Sequence, residues 1–400
     1  MSHFVLFVIV IVVGWNLLFL ALQLYCLRQI QPWPKKMAVF LCLWTAAILG
    51  LFFFQGLQPV PLRVAQSGWL YFPFSVEMSW NLVVVPLLLI PAAVTALVLA
   101  VIRWRKAPPA VPPAEGDLSR RKFIYLVAAG ATPAMALGMG VHGTLSRFDL
   151  RVRRLDLPLP FLPRELDGFT IAHVSDIHSG IFCGPKRMAT IASAVNDLKA
   201  DLIIVTGDII NHSMAEFPDV LEALQRLRAP YGMFLCEGNH DAFPPGHALY
   251  HACVANGLSF LFNRTVALPV EGQRLLLGGL PWMNPPLGSP PEIVSHLWPE
   301  RQLGDVRILL AHHPHLFDLA GSADLVLSGH THGGQLMVGP IGFGPLFFRY
   351  WSGLYRRGDT AMVVSNGCGD WFPCRIGAPA EVGLLRLTPE GSGQGAAPPV

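Results

Sequence analysis

Five short apolar runs, each ending on oxygen or imidazole side chains, constrain this chain more than any other feature. Ile171-Ala172-His173-Val174 runs into Ser175-Asp176-Ile177-His178, and Leu202-Ile203-Ile204-Val205 into Thr206-Gly207-Asp208. Gly232-Met233-Phe234-Leu235 leads toward Gly238-Asn239-His240-Asp241, Ile308-Leu309-Leu310 into Ala311-His312-His313-Pro314, and Leu325-Val326-Leu327 into Gly329-His330-Thr331-His332-Gly333-Gly334-Gln335. Runs this short and apolar, bounded by turn residues, read as buried strands. Helix-spaced apolar residues over 186–200 and 216–229 separate the first three, and further strands are expected near 275–277, 362–364 and 382–387. An α/β sheet places its site at the carboxyl ends of its strands, so five such ends direct their polar side chains toward one place.

The residue types gathered there are those of a metal site. Carboxylate, amide and imidazole donors without thiolates suit two divalent metal ions drawn from Mn, Fe, Zn or Mg, and the mixture alone does not choose among them, Mn being the favoured expectation. Taken singly the fragments say little. An Asp-x-His or Gly-Asp is more often a cap or a turn, and Gly-Asn-His-Asp has the composition of a turn that needs φ > 0. A turn does not account for His330 and His332, and the order of the five strand-borne fragments outweighs separate explanations. Paired cations about 3.5–4 Å apart clamp the attacking and leaving oxygens of a displacement at phosphorus. Such a pair needs one bridging carboxylate, with neutral imidazoles to complete the shells. His173, inside an apolar strand, reads as packed core.

In order, Asp-x-His, Gly-Asp, Gly-Asn-His-Asp, a lone His and Gly-His-x-His form a pattern that resembles the calcineurin-like metallophosphoesterase superfamily over roughly residues 165–388. The longer Gly-His-Thr-His-Gly-Gly-Gln is similar to its membrane-associated bacterial branch. The resemblance implies an α/β fold, a four-layer αββα sandwich. It implies one metal on Asp176, His178 and His332, a second on Asn239, His312 and His330, and Asp208 bridging them. His240 would then stand beside the leaving group, oriented by Asp241, and the reaction would be hydrolysis of a phosphodiester or phosphomonoester by metal-activated water. Of the adjacent His312 and His313, the former directly follows the strand and matches the family's His-x-Pro, leaving His313 and His315 as surface or supporting residues.

The N-terminal part is of another kind. Of 400 residues 52% are hydrophobic and only 14% charged, with a positive mean hydropathy, which is too apolar for an ordinary soluble enzyme. The excess lies in residues 1–106, where 4–27, 37–57 and 80–102 are each long and apolar enough to cross a bilayer as helices. Residues 122–145 make a weaker fourth crossing or signal anchor, interrupted by Pro133. Arg28, Lys35 and Lys36 follow the first span and Arg103, Arg105, Lys106, Arg120, Arg121 and Lys122 the third, against Arg63 between the second and third. The positive-inside rule then sets the N-terminus outside, and a fourth crossing exports residues 146–388 despite Arg147, Arg151, Arg153 and Arg154. The expectation is a multi-pass protein of the inner (plasma) membrane with an extracytoplasmic catalytic domain. Ser119-Arg120-Arg121-Lys122-Phe123 resembles a twin-arginine export signal at an internal position, a plain basic anchor being the equal alternative. Residues 107–121 read as a Pro/Ala-rich linker and 389–400 as a disordered tail.

Substrate identity is the least constrained point. Tethering at a bilayer suits a lipid-linked or envelope phosphoester. Phe343, Phe347, Phe348, Tyr350, Trp351 and Tyr355 interleave with Arg349, Arg356 and Arg357, a mixture that suits a membrane interface as well as a loop packed on a sheet edge. Residues 282–298, with Trp282 and Trp298, are a candidate cap over the metals. No nucleic-acid motif is evident, and oligomeric state is open. Five of the seven cysteines, Cys183, Cys236, Cys253, Cys368 and Cys374, lie in the C-terminal domain without a metal motif. An odd total favours free buried thiols, with Cys368 and Cys374 close enough to bridge if the compartment oxidises them. The competing function is a transporter or sensor with a non-catalytic phosphoesterase-like ligand-binding domain. A complete ligand set, and expected spans free of Asp, Glu, Lys and Arg, count against it.

Overall fold

The computed structural model describes residues 3–28, 34–57, 72–81, 85, 133–283 and 292–390. Most of the expected third span, the 107–121 linker with Arg120 and Arg121, the start of the fourth helix and the tail from 391 lie outside these residues. The described chain divides into two compact units at residues 145 and 146.

In the first unit, α1 (His3–Arg28) and α2 (Lys35–Leu57) cover the expected spans 4–27 and 37–57. Lys35–Phe53 is long and apolar enough to cross a membrane, and Ile9–Tyr25 of α1 is a shorter apolar stretch. A short helix, α3 (Phe72–Ser79), follows, and residues 133–146 are also helical. Trp80 sits at the centre of the packing, its ring edge-on to Phe19 at 5.6 Å and to Trp44 at 5.5 Å. The carboxyl of Glu77, which precedes the expected third span, is buried among these helices, accepting from Asn81, which accepts from Asn16 in the middle of α1 at 2.7 Å. Trp80 Nε1 donates to Asn16 at 2.8 Å, and buried polar groups persist only when satisfied in this way.

The second unit is built on two six-stranded sheets. The strands are β1 (Leu150–Leu159), β2 (Thr170–Val174), β3 (Leu202–Thr206), β4 (Met233–Cys236), β5 (Ser259–Phe260), β6 (Arg264–Val270), β7 (Gln273–Gly279), β8 (Val306–Leu310), β9 (Leu325–Ser328), β10 (Met337–Val338), β11 (Ile341–Gly342), β12 (Gly353–Arg357), β13 (Thr360–Val364) and β14 (Ala380–Pro389). One sheet runs β1-β14-β2-β3-β4-β5 and the other β12-β13-β9-β8-β7-β6, while β10 and β11 pair as a small hairpin. Strands β2 to β5 are mutually parallel, as are β7, β8, β9 and β13.

Alternation along the strands makes the layers. Ile171 and Ile204 of one sheet face Leu275, Leu277, Ile308, Leu310, Leu325 and Leu327 of the other in a shared core. Their neighbours Ala172, Ile203 and Val205 point outward, onto the helices Pro185–Asp197, Phe217–Gln225 and Ala248–Ala255. Pro185–Asp197 begins with proline at its first turn and buries Met188, Ile191, Ala192 and Val195 on one face. Leu276, Leu309, Val326 and Met362 face Trp298, Leu316 and Phe317 on the opposite side. The result is the expected αββα sandwich.

Strand β1 was hidden behind its charges. Arg151, Arg153 and Arg154, read above as topological charge, belong to an edge strand paired in parallel with β14 over its whole length, and Arg153 meets Glu381 at 2.9 Å. Trp298 is no part of a cap: it is buried, its ring over Gly278. Cys368 and Cys374 are both buried and are not bridged to each other.

Candidate metal centre

The carboxyl ends of β2, β3 and β4 in one sheet and β8 and β9 in the other meet. Around Asp208, which follows β3, the side chains form two groups whose donor atoms lie within 4.8 Å of one another: Asp176, His178 and His332, and Asp208, His312 and His330. A third such group joins His178, Asp208 and His240. His332 Nε2 is 3.3 Å from Asp176 Oδ1 and 3.0 Å from His178 Nε2. Asp208 Oδ2 lies 3.5 Å from His178 Nε2 and 3.2 Å from His312 Nε2. Asn239 joins through Oδ1, 2.8 Å from His330 Nδ1.

The backbone is bent to bring them there. Of the eleven described non-glycine residues with φ in the left-handed region, five are Asp176, His178, Asp208, His330 and His332, at +53°, +46°, +51°, +72° and +50°. Such conformations cost energy and cluster where a site requires them. Two glycines make the approach possible. A Cβ at Gly329 would overlap Ser175 Oγ and Asp176 Oδ2, and one at Gly238 would overlap Asp208.

Supporting hydrogen bonds choose the tautomers. His178 Nδ1 donates to Asn211 Oδ1 at 3.1 Å and His312 Nδ1 to the Thr206 carbonyl at 2.6 Å, which turns each Nε2 toward the carboxylates. Asn211 is a residue the motifs did not disclose. Its carbonyl also takes His240 Nδ1, and its amide N–H is held by Glu216 Oε2 at 2.8 Å. The expected role of Asp241 is corrected accordingly. Its carboxylate accepts from Ile209 N at 2.8 Å, Ile210 N at 3.1 Å and Gly238 N at 2.9 Å, tying the Asp208 loop to the Asn239 loop rather than orienting His240. Arg375 is the other undisclosed residue, fully buried with its Nη2 3.2 Å from His332 Nδ1, and anchored by Asp370.

This donor set fits cations. Burial above all pushes His178 down to about 3 and His330 and His332 well below the usual histidine range, so these rings are neutral. Burial, with Asp208 nearby, raises Asp176 to about 6. Against the burial that lowers it, Asp208 and Asp176 raise His312 to about 10, its Nε2 lying 3.2 Å from Asp208 Oδ2 and 3.9 Å from Asp176 Oδ1. Two buried carboxylates that draw positive charge onto a neighbouring imidazole make a place that a cation fits.

The profile of the calcineurin-like phosphoesterase family matches residues 169–334. Over 287 residues the chain is 31% identical to the metallophosphoesterase YkuE of Bacillus subtilis (strain 168), covering 68% of this chain and 98% of that protein. The chain belongs to the calcineurin-like metallophosphoesterase family. It is also 30% identical over 284 residues to the phosphodiesterase YaeI of Escherichia coli (strain K12), covering 68% of this chain and 99% of the other. A transmembrane protein with metallophosphoesterase domain from Danio rerio is 28% identical over 277 residues, covering 64% and 63%.

Around this metallophosphoesterase cluster the remaining sequence candidates separate. Trp282 stands over the histidines, its ring 5.3 Å from His330 and 5.9 Å from His312, while 284–291 lie outside the described residues. His313 is not at the surface: it is buried and stacked on His330 at 4.7 Å. His173 is core, bonded to Thr206 Oγ1 at 2.9 Å. Of the aromatic and arginine run, Phe343, Phe347 and Phe348 line the cavity over the ligands. Tyr350 is buried with its hydroxyl on Asp318, where Arg349 and Arg357 also pair.

Proposed function

We propose that this metallophosphoesterase is a membrane-anchored hydrolase that cleaves a phosphodiester or phosphomonoester with two divalent metal ions, Mn favoured. The observation that carries the reading is that Asp208 belongs to two donor groups, one with His178 and one with His312 and His330, so that the carboxyl ends of both sheets meet on it. Asp176, His178 and His332 would hold one ion and Asn239, His312 and His330 the other, with Asp208 shared. The bound ions supply Lewis-acid polarisation of the phosphoryl group and a nucleophile at neutral pH. The chain's own groups do the remaining work. His240, its Nδ1 held by the Asn211 carbonyl, presents Nε2 as the atom that holds or gives a proton to the leaving oxygen. Its backbone N–H donates to Asp208 Oδ1 at 2.8 Å, fixing the distance between proton donor and bridging carboxylate.

Anchoring is supported by α1 and α2, and by relatives named as transmembrane proteins. On this reading residues 1–106 form the membrane region, 107–121 a linker, 122–145 a fourth crossing and 146–388 the extracytoplasmic catalytic domain. The buried Glu77 network gives the transporter or sensor alternative one observation of its own, but that function gives no reason to assemble both ligand groups. The test is metal-dependent hydrolysis of generic phosphomonoesters and phosphodiesters by the purified full chain with Mn²⁺. The reading expects turnover that a chelator abolishes, and is overturned if none of these esters is cleaved with any of the four metals.

A further inference from the structure

We propose that the phosphoester taken by this site carries a hydrocarbon chain, which lies on an aromatic wall continuous with the metal ligands. The proposal rests on the two-metal reading above and adds the substrate class. The cavity over the site holds about 420 Å³. Its floor is made by Asp208, Asn239, His240, His330 and His332, and its wall by Phe343, Phe347, Phe348, Trp371 and Phe372. The wall begins at the ligands themselves: the Phe348 ring meets His330 edge-on at 5.7 Å, and Trp371 lies 6.5 Å from His332. A phosphoryl group on the floor therefore places its esterified alcohol against aromatic faces.

What the wall lacks decides between substrate classes. Among the described lining residues there is no Lys or Arg, so a second phosphate, as in a nucleoside diphosphate, would meet no cation. A nucleobase would stack, but its polar edge would go largely unmet. Thr331 Oγ1 already donates to the Trp351 carbonyl at 2.7 Å, and Gln335 Nε2 to the carbonyls of Phe372 at 3.0 Å and Cys374 at 2.9 Å. Gln335 Oε1 is itself buried and does not open onto the cavity surface. A chain of methylenes asks for nothing more than the rings provide.

The outer end of the wall points the same way. Phe347 is 64% exposed and Leu346 71% on the short helix Phe343–Phe347, Ile341 66% on the β10–β11 hairpin, and Trp371 47% in the loop after β13, with Phe347 and Trp371 both lining the cavity. Large apolar side chains exposed beside a cavity mark a binding surface. A chain longer than the cavity would continue onto these side chains rather than into water.

The test uses the full chain in lipid nanodiscs with Mn²⁺ and p-nitrophenyl alkyl phosphodiesters bearing methyl, butyl and octyl groups. Calorimetric binding of the matching alkyl phosphonates is read alongside. At roughly threefold to fourfold per buried methylene, octyl should exceed methyl by at least about 100-fold in kcat/KM and in affinity. Phe347→Ser and Trp371→Ser should each flatten that ratio, whereas Leu303→Ser, on a fully exposed residue that does not line the cavity, should leave it as in the wild type. A flat series in the wild type, a ratio untouched by both wall variants, or a preference for thymidine 5′-p-nitrophenyl phosphate over the octyl ester would overturn the proposal. If phosphonate affinity rises with chain length and responds to the wall variants while no ester is hydrolysed, the subsite stands and the hydrolytic reading falls.

Discussion

Asp241 is where the sequence and the structure assign different work to one residue, and replacing it separates them. Its two oxygens accept three buried backbone N–H groups, from Ile209, Ile210 and Gly238. A buried donor left unpaired costs about 1–3 kcal/mol. Asp241→Asn keeps an acceptor for Ile209 and Ile210 but turns an N–H₂ toward Gly238 N, one lost bond and about 1–3 kcal/mol. Asp241→Ala strands all three, and with some relief from backbone relaxation and entering water the loss is about 3–6 kcal/mol. For a domain of this size each kcal/mol shifts the melting temperature by roughly 2–4 °C. The Asn variant should therefore melt roughly 2–12 °C lower and the Ala variant roughly 6–24 °C lower, by near-UV circular dichroism on the solubilised full chain. Because the lost bonds tie the Asp208 loop to the Asn239 loop, metal content should fall in the same order. If Asp241 instead orients His240, Asp241→Asn would cut kcat at unchanged melting temperature and metal content, and that pattern would refute the loop-tying account.

Replacing His240 with Ala should leave two metals bound and reduce turnover by about 10²–10⁴-fold, the usual worth of a positioned proton donor; metal loss in that variant would make His240 a ligand instead. His173 is held down to about 3 by burial, with Arg153 adding to the effect. Its folded value lies below its unfolded one, so the stability it contributes is full above about pH 6.5 and is lost as pH falls toward 3. By about pH 5.5 the loss is about 1.4 kcal/mol, and His173→Asn should remove roughly 3–6 °C of the acid-induced drop in melting temperature. A reporter fused after Thr388 should be active only outside the cytoplasm; cytoplasmic activity would make 122–145 a surface or re-entrant helix. Changing Arg120 and Arg121 together to Lys should trap the domain inside if the pair is an export signal, and should leave it outside if the pair is a basic anchor.

The ligand-bearing framework was legible because its signals are local. An apolar run such as Leu202–Thr206 identifies a strand without reference to the rest of the chain, and Asp208 at its end follows from the strand. What stayed hidden depends on long-range packing. Asn211 carries no motif, and its hold on both His178 and His240 exists only once the loops are folded. Arg375 reaches His332 across 43 residues. Trp371 and Phe372 come after the last motif, so nothing in their spacing announces a wall of the cavity. Strand β1 reads as a basic stretch because an edge strand turns its charges to solvent and buries only Leu157 and Leu159. Glu77 stands outside the expected spans, and its burial depends on the side chains of Asn16, Trp80 and Asn81, which meet only once the helices pack.

The central claim is that Asp208 holds two cations which the reaction needs, and metal stoichiometry measured with turnover tests it most directly. Elemental analysis of the purified full chain should find two divalent ions per molecule, and Asp208→Asn should lower that number and abolish hydrolysis of a generic phosphodiester together. Two ions retained with full turnover in Asp208→Asn would contradict the account, as would a wild-type chain that hydrolyses the ester with no metal bound.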